Sequence, residues 1–209
     1  MMQDKGFTLV ELAIVITIIG LLIAGVIKGE SLVQSAKVSN AITLAQDISV
    51  AVNAFKQQYH LLPGDMLITT EFPTLRTECL TGAKKGNNNG IIEAGLSGVP
   101  DESSCVPEVL FLAGLAKVDQ ENNVPVFKSY YGSVTVKAAS QSTVSGFSPS
   151  IIHIVEFSNL PCDFVQAMDR KMDNDNLANG KAIAIFTPDP NNPTTCLAGS
   201  IVPYYAVSL

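Results

Sequence analysis

At 209 residues and 47% apolar content, the chain has room for one membrane-spanning helix and one modest globular domain. Only 15% of the residues are charged, and the formal net charge is −6. An acidic chain lacks the basic surface that displaces counterions, which excludes general nucleic-acid binding. The adjacent basic pairs Lys84-Lys85 and Arg170-Lys171 are short enough to be ordinary solvated surface.

Lys5-Gly6-Phe7-Thr8-Leu9-Val10-Glu11-Leu12 opens a run in which 20 of the 21 residues from Phe7 to Ile27 carry no charge. As a helix this run is about 30 Å long, enough to cross the hydrocarbon core of a bilayer. Glu11 is the exception, and a charge at that depth costs roughly 2.5–3.5 kcal/mol on insertion scales. It calls for a cationic partner. Cutting the backbone after Gly6 would create one, the α-amino group of Phe7, four residues away in the same chain and closer on a neighbouring helix. An ordinary secretory signal has an apolar region of about 7–15 residues, too short to describe this run. A plain uncleaved anchor leaves Glu11 unexplained. Gly20, Ala24 and Gly25 add small sites where helices can approach closely in lipid.

This stretch resembles the processing and assembly signature of type IV pilins and type II secretion pseudopilins. The close match covers roughly the first 30 residues. The resemblance implies that residues 1–6 are a leader, that a prepilin peptidase/methyltransferase cuts after Gly6 and methylates Phe7, and that Glu11 pairs with a neighbouring subunit's amine. Gly20 sits where many pilins carry a helix-loosening glycine. Lys28 sits where many carry a proline, a departure from the pattern.

Nothing breaks the helix after Ile27. Between Lys28 and Leu62 there is no proline and only Gly29. Val38, Ala41, Ala45, Ile48, Val52, Phe55 and Tyr59 recur at alternating spacings of 3 and 4, one apolar face of an amphipathic helix. Pro63-Gly64-Asp65 ends it. The expected division is a leader (1–6), a transmembrane and assembly segment (7–30), and a globular domain (31–209) that includes the upper half of the stalk helix. From Pro63 to Val106 the chain reads as mostly irregular. Asn87-Asn88-Asn89-Gly90 is a turn former rather than a calcium loop, because an EF-hand register would place Lys85 and Leu96 at ligand positions. Pro107–Leu115 reads as a short helix. Val124–Phe127, Tyr130–Val136, Ile151–Phe157, Ala182–Phe186 and Ile201–Val207 read as strands. Pro203 makes the last an edge or a broken strand. Pro161–Met172 reads as a helix, and Pro188–Pro193 as turns. The fold class expected is α+β and pilin-like, a small antiparallel sheet packed on the upper half of a long N-terminal helix.

Cys79, Cys105, Cys162 and Cys196 form no Cys-x-x-Cys pair, and neither His60 nor His153 lies beside them in sequence, so a metal or redox site has little support. An even number in an exported domain reads as two disulfides. Three connectivities are open; Cys79–Cys105 and Cys162–Cys196 are favoured because each closes a loop-rich stretch. Asp169, Asp173 and Asp175 could hold calcium through oxygen ligands, but read more simply as the solvated end of the Pro161–Met172 helix. His153 is expected on a strand, and His60 at a helix end. No catalytic fingerprint or convergent constellation is present. The reading is a non-enzymatic filament subunit without a cofactor. Its partners are further copies in a helical filament, other pilins, the peptidase, the membrane and an inner-membrane assembly platform. It is expected in the inner membrane with its C-terminal domain periplasmic, then in a periplasmic or cell-surface filament. The alternative is a membrane-anchored, monomeric periplasmic binding protein or enzyme.

Overall fold

The computed structural model describes residues 8–67, 72, 74–81, 84–95 and 101–209. Contacts divide the chain into two units, Met1–Val38 and Ser39–Leu209, and one helix, α1 (Leu9–Tyr59), enters both. From Leu9 to Val26 α1 is bare: Leu9, Leu12, Ile16, Leu21, Leu22 and Val26 are each more than half exposed. The Thr17 hydroxyl donates to the carbonyls of Ala13 and Ile14, and Ser31 to that of Lys28. Polar side chains satisfied inside their own helix are what a segment surrounded by lipid requires. By length and composition α1 can cross a membrane.

In the second unit the predicted stripe is the core face of α1. Ala41, Ala45, Ile48, Val52 and Phe55 are buried, and the rings of Phe55, Tyr59 and Phe72 cluster with centroids 4.5–6.1 Å apart. The helix stops where His60 turns left-handed (φ 56°), just ahead of Pro63. Among the described residues, three further helices follow: α2 (Thr77–Leu80), α3 (Val106–Leu112) and α4 (Cys162–Met172).

The eight strands among the described residues are β1 (Asp119–Glu121), β2 (Val124–Lys128), β3 (Ser133–Ala138), β4 (His153–Pro161), β5 (Ala182–Ile185), β6 (Pro188–Asp189), β7 (Asn192–Cys196) and β8 (Ile201–Ser208). Six make an antiparallel sheet in the order β1-β2-β3-β4-β8-β5, and β6 and β7 pair separately. This α1 region packs against the sheet, so the arrangement is α+β and pilin-like. Register puts Val134, Phe157, Tyr205 and Ala184 side by side on one face, all buried. The opposite face has its own apolar cluster: Ile154, Ile183 and Ala206 lie under Val144, with Phe147 and Ile151 packed around them. The connection after β3 is fastened there by polar contacts. Glu156 pairs with Lys137 at 2.6 Å and accepts from the Ser142 hydroxyl, whose oxygen accepts the Val144 N–H at 3.0 Å.

The structure corrects the expectation for Pro203. β8 is an unbroken strand between β4 and β5, not an edge. Two local features make room for a residue without an N–H. On the β4 side the ladder skips the Asn159–Pro203 pair, where Asn159 turns left-handed (φ 55°); on the other side β5 has ended at Ile185 opposite Tyr204. Another correction concerns 188–193, read as turns: Pro188–Asp189 and Asn192–Cys196 pair as the β6–β7 hairpin, with the turn itself at 190–191. Residues 130–132, expected to start a strand, lie instead in a turn in which the Ser129 N–H and hydroxyl donate to the Gly132 carbonyl.

Candidate functional site

The start of α1 is where sequence placed the function. Thr8 precedes the first helical residue, and Glu11 is the third residue inside. Their side chains and backbones bond reciprocally: the Thr8 N–H and hydroxyl donate to Glu11 Oε2 at 2.8 and 2.9 Å, and the Glu11 N–H donates to Thr8 Oγ1 at 3.2 Å. This is a capping box, in which a Thr-x-x-Glu spacing satisfies amides that the first helical turn leaves without partners. It also sets a carboxylate at the positive end of the helix dipole. Thr8 was not singled out from sequence, although the Thr-x-x-Glu spacing was there to read.

All three bonds leave Glu11 Oε1 without a partner among the described residues. Residues 8–27 contain no Lys, Arg or His. The cap therefore holds the carboxylate without neutralising it. Gly6 and Phe7, the expected cut and its new terminus, lie outside the described residues. At Gly20 and Gly25 a Cβ would meet nothing within 4 Å, so both glycines open onto the helix surface. Large apolar side chains stand exposed beside them, including Ile16, Ile19, Leu21 and Ile23. The segment presents a carboxylate, small sites and aliphatic surface, a set suited to joining helices rather than to transforming a substrate.

Elsewhere, the sulfurs pair as Cys79–Cys105 and Cys162–Cys196, with Cα separations of 6.0 and 5.8 Å. The first ties α2 to the start of α3; the second ties the start of α4 to the end of β7. Arg76 supports the first from a half-buried position, binding Glu108 at 2.7 Å and the Ser104 carbonyl at 3.1 Å.

The three aspartates around the end of α4 do not come together. Asp175 pairs with Arg170, and Asp173 Oδ2 accepts the N–H groups of Lys181 and Ala182. Asp169 is not at a solvated end: it is wholly buried, with Oδ1 accepting the Tyr205 hydroxyl at 3.3 Å and Oδ2 unpartnered. Burial pushes its carboxyl up to about 6, and the neighbouring Asp173 and Asp175 add to the rise. Burial, reinforced by Asp169, also raises the Tyr205 phenol. Among the described residues, no three His, Cys, Asp or Glu side chains are grouped so as to hold a metal ion.

His153 is fixed by a bond that sequence could not show, its Nε2 accepting the Ile92 N–H at 3.1 Å.

Residues 1–27 match the prokaryotic N-terminal methylation motif. No curated protein and no solved structure matches the chain. The motif implies processing by a prepilin peptidase, and with the apolar helix it points to anchoring in a membrane. On that motif, typical of type IV pilins and type II secretion pseudopilins, and on a long helix packed against an antiparallel sheet, the chain is a prepilin-like protein.

Proposed function

We propose that the chain is a structural subunit of a type IV pilus or type II secretion pseudopilus-like filament. It is cleaved after Gly6, methylated on Phe7, and polymerised through residues 7–30, while residues 31–209 form the head. It sits in the inner membrane with its head in the periplasm until an assembly platform moves it into the filament beside copies of itself and other pilins. It is not an enzyme and needs no cofactor.

One observation carries this reading: Glu11 is capped by Thr8 at the start of an apolar stretch, residues 8–27, that contains no Lys, Arg or His. Cleavage creates an amine on Phe7, and a neighbour's amine can reach the oxygen that the cap leaves open. Desolvation offsets much of the gain from such a pair. Its larger effect is on register, since a subunit docked one step wrong buries two unpaired charges, a difference of several kcal/mol.

Glu11→Gln tests the proposal. Both proteins should lose six residues and gain one methyl group by intact mass. The variant should stay in the membrane fraction, and its sheared-filament yield should fall at least tenfold. Normal filament yield from the variant, or an intact Met1 terminus in peptidase-competent cells, would overturn the reading in favour of a monomeric anchored protein.

A further inference from the structure

The segment from Lys84 to Gly95 lies outside the sheet and outside the N-terminal site, and the way it is held is unusual. Three carboxylates sit beneath it: Asp65, Glu93 and Glu102, exposed by only 1%, 7% and 0%. Asp65 accepts the N–H groups of Asn89 (3.1 Å) and Gly90 (2.7 Å). Glu102 accepts those of Asn87 and Glu93, both at 3.1 Å. Glu93 accepts the side-chain amides of Asn87 (2.9 Å) and Asn89 (3.2 Å). His153 Nε2 accepts the Ile92 N–H, and Ile92 returns its carbonyl to the Ala138 N–H at 2.8 Å. Gly86 lets the segment lie directly on the chain at Asp65, since a Cβ there would come within 2.3 Å of the Met66 nitrogen. Asn87 to Gly90 are exposed on top of this arrangement.

The charges do not balance. Among the described residues, the hydrogen bonds to these three carboxylates come from amides alone. The charged groups facing Glu102 are Asp65, from the turn after α1, and Glu93, from the segment itself; His153 faces Lys56 of α1 and Asp65. Arg76 and Lys84 pair with Glu108 and Glu78 rather than with these three carboxylates. Amides solvate a carboxylate but do not cancel its charge, and like charges in a shared desolvated site resist ionising together.

We propose that Lys84–Gly95 is a pH-gated clasp, closed over Asp65, Glu93 and Glu102 while Glu102 is protonated and loosened when Glu102 ionises. Burial pushes Glu102 up to about 7; Asp65 and Glu93 raise it further, against the lowering effect of the Glu93 and Asn87 N–H groups. The folded carboxyl therefore lies above its ordinary 4.5, so closure is strongest in acid and is lost as pH rises through about 7. His153 sets the direction. Burial, with Lys56, lowers its pKa, so it is neutral and still accepts the Ile92 N–H where Glu102 ionises. The clasp therefore opens from its Asn87–Gly90 end, changing the surface that the head presents.

Amide hydrogen exchange on the full-length protein in detergent micelles reads this directly. The amides of Asn87, Asn89, Gly90 and Glu93 are the reporters, each rate divided by the intrinsic rate at its pH. With Glu102 near 7 closed and near 4.5 open, protection should fall about tenfold between pH 6 and 8.5. Peptides from β4 should hold their protection throughout, and Glu102→Gln should remove the pH slope at the reporters. A flat wild-type profile overturns the proposal, as does an undiminished slope in a folded Glu102→Gln protein. If that variant loses β4 protection, and so has not folded, the wild-type slope decides alone.

Discussion

Two single residues show how far local spacing can be read. Thr8 and Glu11 are three apart at a helix start, and that spacing alone implies the cap that the structure shows. Asp169 reads on its charge as part of the solvated end of α4, whereas it lies on the helix face that buries Phe164 and Met168. Val165 also lies four residues before Asp169, and both are buried. The misreading has a measurable consequence. Asp169 sits at about 6 in the folded protein against an ordinary 3.8, so the folded state takes up its proton first. Its contribution is most favourable below pH 3.8 and is lost as pH rises through about 6, a cost on the order of 3 kcal/mol at pH 8. Chemical denaturation from pH 3.5 to 8 should show wild type losing ground to Asp169→Asn as pH rises, with the gap constant above pH 7. Parallel curves over the whole range would show that Asp169 ionises freely.

At the scale of elements, what was legible is what short-range pattern controls. The stripe from Ala41 to Phe55, the α4 helix and most strand cores follow from periodicity. Strand limits did not, because partners set them: β4 runs on to Pro161 since β8 is there to pair with it. β8 itself was misplaced because the proline rule needs to know which neighbour is absent at that rung, and no local pattern tells that. α4 is anchored at its first residue by Cys162–Cys196, and Gln166 Nε2 reaches the Cys196 carbonyl at 3.2 Å. Removing the pair as Cys162→Ala/Cys196→Ala should lower unfolding stability by about 3–4 kcal/mol, from loop-closure entropy over a span of this size. The check is a shifted denaturant midpoint with Cys79 and Cys105 still closed to thiol reagents. An unchanged midpoint would place the holding of α4 in its apolar contacts alone.

For the whole molecule, sequence named the N-terminal signature because such a motif is local, whereas the head's strand order was out of reach: the last strand lies inside the sheet, between β5 and the more distant β4. The two units also predict where the chain can be shortened. Residues 29–209 keep the buried face of α1 and should fold in water with no thiol open to labelling. Residues 61–209 lose Ile48, Val52 and Phe55, each fully buried side chain contributing about 1.5–3 kcal/mol, against a total stability of about 5–15 kcal/mol for a typical domain. That shorter chain should aggregate or label at its cysteines, and a folded, unlabelled 61–209 would show α1 to be dispensable to the head. The two disulfides are consecutive along the chain, neither nested nor crossed, and Cys162 follows Cys105 by 57 residues. For a head exported from its N-terminal end, Cys79 and Cys105 reach the oxidising side while both later cysteines are still behind the membrane. The order of emergence then selects the native partner, and a head wired this way can be oxidised correctly without a disulfide ever being reshuffled.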